Sequence, residues 1–575
     1  MAAGDAANMK SPFAAVGLWI LALAMVGLLA ERTGWSPRLP PKEAAAAAAI
    51  VLLGLGLRVW DLQGTPLVIS GNEASVGLEA LDIAEGRHNN LFDTGWFSFP
   101  SLYFAIQSLP LRWLGISIGA VRITSAFAGA LTIAATYLYA RVAWGKRIAL
   151  VSAAFVCAFA FHIHFSRLGL NNIWDGLFAA LVAAGLTYGV KSGRRSGYLL
   201  AGAALGLGQF FYVSTRVFLI LIPVWGLATL SRDRGLARRR LEGLGLLGWA
   251  AVVVTLPLIL FYARHPQEFL APISRVNLFG WWWQVQTVNF GDPAWWVLGE
   301  QALNAIGGFG LVPLREFYAG QPLLTGLGFA LLVVGVAVLM RRWKEARNLL
   351  LLLWIASAIA VVALSANAPA AQRYVFVAPA VSTIVAVGLS RLAERAAALG
   401  PRPGLRAPTW AAILLCVAMI SEAGYYFAKY SAEQRFGDYN EERVTQAVYY
   451  LRDLEPRSEV VFLSSPRLIL SSHDTLLFLL PGLMAQDLLP GKPLSETRLQ
   501  SARPLFVVLL EREADLAEIM RCFPGGPPVR IEGRRGRLLF IAYQAREAMM
   551  EECQAPKGKP MAGRIPLPVD GRRTP

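Results

Sequence analysis

The chain has 575 residues, 55% of them hydrophobic and 16% charged, where about 25% charged is usual for soluble proteins, so a soluble globule is excluded. The 54 basic and 38 acidic residues give a net charge of +16, and nearly all of this excess lies before Lys429, in the apolar part of the chain. The excess is therefore expected to orient membrane segments, and a nucleic-acid partner is not expected.

Apolar runs recur along the first 428 residues. A helix that crosses a bilayer needs about 20 predominantly apolar residues, and twelve segments approach this length. They lie near residues 13–30, 44–59, 120–140, 148–163, 173–190, 197–213, 217–230, 243–262, 322–340, 349–366, 374–390 and 409–428. The sequence therefore predicts an α-helical polytopic membrane protein with about twelve transmembrane helices.

The connections between these segments fall into two classes of charge. Alternate loops carry 22 basic residues against six acidic ones, and the positive-inside rule predicts that they are cytoplasmic. The remaining connections are predicted to lie outside, among them residues 60–119 and 263–321 and the chain after residue 429. Residues 100–114 are apolar, but a further crossing there would invert every later loop. A helix on or in the outer face is predicted instead.

The last part of the chain alternates between helical and β-rich segments. Helical spacing is seen in residues 441–454 and 511–521, and the β-rich runs are residues 459–463, 505–510, 529–531 and 537–543. These segments predict a small extracytoplasmic α/β domain within residues 429–575, with a disordered end beyond about residue 561. Cys522 and Cys553 lie in this part, and a disulfide between them is compatible with an oxidising compartment.

Acidic and amide side chains in the two long outer loops are candidates for catalysis. Asn72 and Glu73 lie in a stretch of the first loop that contains glycine, and a carboxylate there suits a base or a donor ligand. A solvated loop acid is an equally good interpretation of Glu73. Asp93 in the first loop and Asp292 and Glu316 in the second are further candidates.

Three arginines, Arg167, Arg216 and Arg373, end predicted helices on the outer side. A single arginine of this kind commonly anchors a helix at the interface. Three of them oppose the positive-inside bias, and charged groups near membrane depth are usually functional. Because a guanidinium stays charged when desolvated and matches phosphate geometry, a pocket for an anionic lipid head group is predicted.

Polar and aromatic residues accompany these arginines. His164, Asn171 and Asn172 flank Arg167 and are candidate ligands, whereas metal binding by His162 and His164 is the less favoured interpretation, because such a pair at a helix end is more often interfacial. No cofactor is expected, with a divalent metal as the minor alternative. The tryptophans of residues 281–283 and 295–296 predict an interfacial belt, with sugar stacking as the alternative.

Taken in order, these residues resemble the GT-C membrane glycosyltransferases, in the branch of glycosyltransferase family 39 that includes protein O-mannosyltransferases and the lipid A aminoarabinose transferase. The matching segments are Asn72-Glu73, Gly95-Trp96-Phe97, Pro100-Ser101-Leu102-Tyr103, Arg122-Ile123-Thr124-Ser125, His164-Phe165-Ser166-Arg167-Leu168-Gly169 and Arg373-Tyr374 before Pro379. The specific signal is their order and their common side. The resemblance covers roughly residues 44–428, preceded by an additional helix within residues 1–43 and followed by the domain of residues 429–575.

The resemblance implies a GT-C fold in a bacterial plasma membrane. It also implies an inverting transfer of a sugar from a polyprenyl-phosphate donor to an acceptor hydroxyl on the outer face, the acceptor being a lipid, a polysaccharide or a protein. Arg167, Arg216 and Arg373 would bind the donor phosphate, and the first-loop pair would supply the base. The family has Asp-Glu where this chain has Asn72-Glu73, and an amide cannot accept the proton.

Three interpretations of function remain open at this stage. Glu73 or another acid serves as the base of an active transferase, or the protein is a catalytically degenerate binder of lipid-linked sugars. A secondary transporter is the third interpretation. Transporter folds often contain repeated halves with sites near the midplane, whereas this chain places its candidates at one face.

The predicted topology is testable with a reporter enzyme that is active only outside the cytoplasm. We expect activity for fusions after Gly95, Gly310 or Gly437, and none for fusions after Arg195 or Arg342, which lie in basic loops. Activity at Arg342 without activity at Gly310 would overturn the assignment.

Overall fold

The computed structural model describes residues 12–32, 39–230, 234–399, 406–433 and 435–453, and residues 459–553 except 493, 495–498, 500, 502, 534–535, 548–549 and 551–552. The predicted disorder beyond residue 561 lies outside the described residues. The chain divides into two compact units, Met1–Glu441 and Glu442–Pro575. The first is helical, and the second contains a β-sheet.

Each of the twelve predicted segments falls on a helix or a helix pair. These are Pro12–Arg32, Pro41–Val59, Ile118–Ala143, the pair Lys146–Ala158 and Ala160–Ser166, Ile173–Ser192, Arg195–Gly208, Phe218–Leu230, Arg234–Arg264, Gly326–Arg341, Ala346–Ala363, Ala378–Leu399 and Ala407–Gly424. Six of the described helices are long and apolar enough to cross a membrane, or seven if the helix pair, bent by 61°, is one span. The predicted helical membrane architecture is confirmed, and the number of twelve crossings stays a prediction.

Small residues allow several of these helices to pack closely. A Cβ atom added at Gly202 would lie 2.1 Å from the carbonyl oxygen of Leu247, and one at Gly335 would lie 2.1 Å from that of Ile384. Both positions therefore require glycine, because any larger residue would separate the two helix backbones. Close contact through small residues is the usual means of association between apolar helices in lipid.

The two long loops of the first unit contain shorter helices. The first loop holds Gly71–Ala84 and Ser101–Leu114, so the helix predicted over residues 100–114 is confirmed. The second loop holds Pro266–Ser274, Trp281–Gln284 and Ala294–Gly307. Large apolar side chains are exposed on this second set, including Trp281, Trp295 and Trp296. Their exposure is consistent with the predicted interfacial belt.

The second unit is built on a five-stranded sheet of β1 (Val460–Leu463), β2 (Ala485–Asp487), β3 (Leu505–Leu509), β4 (Val529–Glu532) and β5 (Leu538–Gln544). The strand order is β2-β1-β3-β5-β4; β1 is parallel to β2 and β3, whereas β5 is antiparallel to β3 and β4. The predicted α/β domain is therefore confirmed. The sequence missed β2, which has three residues, and the helix Asp474–Leu479.

Cys522 and Cys553 form a disulfide, with their Cα atoms 5.6 Å apart. Cys522 ends the short helix Leu516–Cys522 and packs in the apolar core on one side of the sheet. The bond thus ties the chain after β5 to this core.

Candidate functional site

A cavity of about 710 Å³ lies within the first unit. One part of it is apolar, with side chains from the helices Phe218–Leu230 and Ala346–Ala363. The other part is polar and contains Arg216, Arg373 and several amide side chains. Among the described residues that line the cavity, none is aspartate or glutamate. The cavity thus combines an apolar lane with a cationic end.

Arg216 lies at the cationic end with only part of its hydrogen-bonding capacity used. It is buried, and its Nη1 donates to the carbonyl oxygen of Phe269 at 2.5 Å, while Nη2 donates to the hydroxyl of Tyr262 at 3.3 Å. The guanidinium carbon is 4.2 Å from the centre of the Phe269 ring. Because a guanidinium has five N–H donors, Arg216 keeps capacity for a ligand in the cavity.

Arg373 also lines the cavity and has a similar environment. It is buried, and its Nη1 donates to the carbonyl oxygen of Ala366 at 2.8 Å. The adjacent Gln372 also lines the cavity and donates to the exposed carboxylate of Glu316. Glu316 is itself near enough to interact electrostatically with Arg373. The structure thus brings Arg216 and Arg373 to one cavity. Glu316 does not line this cavity but is bonded to Gln372, which does.

Arg167 is not part of this cavity, which corrects the role predicted for it. It is fully buried, and its three nitrogen atoms donate to backbone carbonyl oxygens. These belong to Leu57, Arg58, Trp60, Asp61 and Thr65, at 2.5 to 3.2 Å. No donor remains for a phosphate, so Arg167 fastens the turn after the helix Pro41–Val59 to the rest of the unit.

Glu73 is also absent from the cavity, and its environment does not fit the predicted base. Both carboxylate oxygens are bound by Arg122, with Nε–Oε1 at 2.8 Å and Nη2–Oε2 at 3.1 Å, and both side chains are 0% exposed. The backbone N–H of Gly169 donates to Oε1 at 2.8 Å, and that of Ser70 donates to Oε2 at 3.1 Å. A carboxylate bound in this way has no free lone pair directed at an acceptor.

Arg122 is the partner that sequence reasoning missed, although it opens one of the family-like segments. Its remaining donors reach the carbonyl oxygens of Leu62, Pro66 and Val68 at 2.6 to 3.2 Å. Arg58 was missed as well: it is fully buried and donates to carbonyl oxygens and to Ser166. A charge inside an apolar run was the available signal for Arg58.

The three asparagines that were selected from the sequence line the cavity, together with Asn277. Asn72 is exposed at the start of the helix Gly71–Ala84. Asn171 and Asn172 are buried in the turn before the helix Ile173–Ser192, and Nδ2 of Asn171 donates to the carbonyl oxygen of Phe211 at 2.9 Å. Asn72 is therefore the member of the first-loop pair that a ligand in the cavity would meet.

The two histidines face different partners. Nε2 of His164 is 2.7 Å from the carbonyl oxygen of Phe317, and the ring packs against Tyr318, Tyr426 and Tyr430. Nδ1 of His162 is 2.8 Å from Nη2 of Arg58. Within the described part of the chain, no group of three or more His, Cys, Asp or Glu side chains is arranged to hold a metal ion.

The remaining two acids are not among the residues that line the cavity. Asp93 accepts a hydrogen bond from Ser101 at 2.5 Å and lies 3.0 Å from Nε2 of His88. The bond to Asp93 raises the pKa of His88 to about 9. Asp292 is partly buried in the second outer loop, where its backbone N–H donates to the carbonyl oxygen of Gln286.

The helical membrane unit and the sheet domain are similar in fold to GT-C membrane glycosyltransferases. Residues 98–261 match the family model of dolichyl-phosphate-mannose-protein mannosyltransferases. The resemblance seen in the sequence is thereby confirmed.

Solved structures support the fold. The chain is similar to ArnT from Cupriavidus metallidurans bound to undecaprenyl phosphate, with a TM-score of 0.56 at 14% identity over 90% of this chain and 98% of that chain. The apo state of the same protein gives a TM-score of 0.52 at the same identity and coverage. At such identity the likeness concerns the fold alone.

A weaker likeness is to the oligosaccharyltransferase of Archaeoglobus fulgidus in its apo form, with a TM-score of 0.48 at 14% identity over 73% of this chain. The match spans 62% of that longer chain, which is less than two thirds of its length. Among curated protein sequences, none is significantly similar to this chain.

The buried ion pair predicts a stability effect. Replacing Glu73 by Gln leaves the Arg122 charge without its counter-charge, and breaking such a pair costs about 3 to 5 kcal/mol in the free energy of unfolding. Glu79→Gln on the same helix is the matched control, because Glu79 is only half-buried. A Glu73→Gln protein that unfolds like the parent in thermal denaturation but has lost all transfer would restore Glu73 as the base.

The pair of His88 and Asp93 predicts a pH dependence. The pKa of His88 is raised in the folded protein from an ordinary value of 6.5 to about 9. Its contribution to stability is therefore complete below pH 6.5 and is lost as the pH rises through about 9. The loss is expected to be within about 1 kcal/mol, because the pair is partly exposed.

Thermal unfolding between these pH values measures this effect. His88→Asn should flatten the dependence, whereas His265→Asn, at a ring that packs on Phe261, should leave it unchanged. An equal slope in the parent and in His88→Asn would contradict the assignment.

Proposed function

We propose that the protein is an inverting glycosyltransferase that moves a sugar from a polyprenyl-phosphate donor to an acceptor hydroxyl. The single observation that carries this proposal is the cavity, in which two incompletely bonded arginines stand at the end of an apolar lane. An isoprenoid chain needs an apolar surface, and its phosphate needs cations that retain their charge when buried. The ArnT structure of the same fold was obtained with undecaprenyl phosphate bound.

The lipid is proposed to enter along the apolar side. Leu221 and Val224 of one helix and Leu353 and Val361 of another line this part of the cavity. Leu227, on the first of these helices, is exposed, as expected for a surface that meets lipid acyl chains. The lane therefore suits the first isoprene units, with the phosphate at Arg216 and Arg373.

Charge development explains how these arginines would act in catalysis. As the acceptor oxygen bonds to the anomeric carbon, the bond from that carbon to the phosphate oxygen breaks, and the lipid phosphate leaves with an additional negative charge. Preorganised guanidinium donors bind that charge most strongly in the transition state, which lowers the barrier. The acceptor's proton passes to a base. Of the acids named from the sequence, we propose Glu316, which reaches the wall through Gln372.

A second function is favoured by one observation. The described lining of the cavity contains no carboxylate, and its first-loop residue is Asn72 instead of an acid. This composition suits a catalytically degenerate protein that binds lipid-linked sugar without transferring it. The secondary transporter is not supported by the family match or by the fold.

The cellular arrangement forms part of the same proposal. We place the cavity and the C-terminal α/β domain on the outer face of a bacterial plasma membrane, which is supported by the basic residues in alternate loops. The acceptor is a lipid, a polysaccharide or a protein, and the C-terminal domain would select it.

Transfer is tested with purified protein in vesicles that contain radiolabelled polyprenyl-phosphate sugars and a membrane extract. We expect label in an acceptor fraction for the parent. In the same vesicles, Arg216→Ala and Arg373→Ala should weaken donor binding by about 2 to 5 kcal/mol, because each leaves a desolvated anion without its partner. Arg373→Lys should recover only part of this loss.

Arg87→Ala is the matched control, since Arg87 is exposed in the first outer loop and pairs with Asp82. If donor binding is the same in both cavity variants and in this control, the phosphate site is wrong. If the parent binds the donor but transfers nothing, and Asn72→Asp gains transfer, the degenerate binder is the correct function.

A further inference from the structure

At the turn before the helix Ile173–Ser192, the cavity wall contains a polar side chain with no structural partner. Asn172 lines the cavity and is 3% exposed, and its Oδ1 is buried without a hydrogen-bond partner. A buried acceptor left unpaired costs free energy comparable to a lost hydrogen bond. Oδ1 of Asn172 therefore lacks a hydrogen-bond donor, and neither an ionised phosphate nor an isoprenoid chain can provide one.

Local structure explains why the amide is unused. Asn172 is the residue that precedes the helix Ile173–Ser192, a position at which an asparagine side chain normally accepts from a backbone N–H of the first turn. Here its backbone is helical, with φ −64° and ψ −26°, and its side chain makes no capping bond. The N–H of Asp175 donates instead to the backbone carbonyl of Asn172. The side-chain amide is therefore not used for capping, and it lines the cavity.

The neighbouring polar groups are bonded within the protein or lie outside the cavity lining; Oδ2 of Asp175 also has no partner, but Asp175 does not line the cavity. Nδ2 of Asn171 is bound to the carbonyl oxygen of Phe211. One turn along the helix, Oδ1 of Asp175 accepts from the hydroxyl of Thr215 at 2.6 Å. Asp175 is 0% exposed and is not among the residues that line the cavity. Asn172 is therefore the polar group on this wall that remains available to a ligand.

We infer that Asn172 is a specificity-determining residue that hydrogen-bonds a hydroxyl of the donor sugar, and that this sugar is uncharged. The inference rests on the proposed function, because the lipid phosphate at Arg216 and Arg373 brings its attached sugar to this wall. An amide accepts from and donates to hydroxyls, which suits a neutral polyol. An ammonium on the sugar would meet two arginines and, in the described lining, no carboxylate to balance it.

Three lipids with the same isoprenoid chain test this inference: polyprenyl phosphate, polyprenyl-phosphate hexose and a polyprenyl-phosphate amino sugar with a free ammonium. Their affinities are measured by competition with a fluorescent polyprenyl phosphate. The parent should bind the hexose lipid more tightly than the amino-sugar lipid. Asn172→Ala should weaken binding of the hexose lipid by about 3- to 10-fold, as expected for one neutral hydrogen bond, and should leave polyprenyl phosphate unchanged.

Asn172→Asp should shift the preference toward the amino sugar, because it adds the missing carboxylate. Asn89→Ala and Asn89→Asp are the matched controls, since Asn89 is exposed and its side chain bonds only within its own turn. Unchanged binding of polyprenyl phosphate shows that Asn172→Ala is folded, and thermal unfolding like that of the parent shows it for Asn172→Asp, whose added charge also repels the phosphate.

Two results would overturn the inference while the proposed function stands. One is equal weakening of all three lipids by Asn172→Ala, which would mean that the side chain only supports the wall. The other is a parent that prefers the amino-sugar lipid. A parent that binds none of the three lipids would instead overturn the proposed function, and the inference with it.

Discussion

The buried ion pair between Glu73 and Arg122 is the interaction on which the rest of the membrane unit depends. Both side chains are removed from solvent, and their attraction offsets the cost of that removal only because additional hydrogen bonds satisfy both groups. Backbone N–H groups of Ser70 and Gly169 complete the carboxylate, and carbonyl oxygens of the first loop complete the guanidinium. The pair thereby fixes the start of the helix Gly71–Ala84, which holds Asn72 at the cavity.

The number of internal hydrogen bonds separates the buried arginines into two kinds. Arg58, Arg122 and Arg167 have all three nitrogen atoms bonded within the protein, largely to carbonyl oxygens that end helices or form turns. Arg216 and Arg373 have one or two bonds each and line the cavity. Burial of a charge is costly in every case. A buried arginine with few hydrogen-bond partners in the protein is expected to find further partners in a ligand. A buried arginine whose nitrogen atoms are all bonded within the protein stabilises the fold.

This difference also explains what the sequence could and could not predict. Hydropathy and residue spacing located the twelve helical segments and four of the five strands, because those patterns are local. The same approach selected Arg167, Arg216 and Arg373 together, because each follows an apolar run and is charged. It could not separate them, since the partners of Arg167 lie about a hundred residues earlier in the chain. Glu73 was selected as a candidate base for the same reason, because its partner Arg122 is distant in sequence.

The position of the acids relative to the cavity has a physical rationale. A carboxylate in direct contact with Arg216 or Arg373 would compete with the phosphate for the same guanidinium donors. In the structure, Glu316 accepts a hydrogen bond from Gln372, which lines the cavity, and Asp175 accepts one from Thr215, which does not; neither acid lines the cavity itself. The cavity surface therefore stays cationic and amide-rich, and an acid that takes a proton there must act through, or displace, the neutral group in front of it. A mechanism with Glu316 as the base consequently requires the Gln372 side chain to move when the acceptor binds.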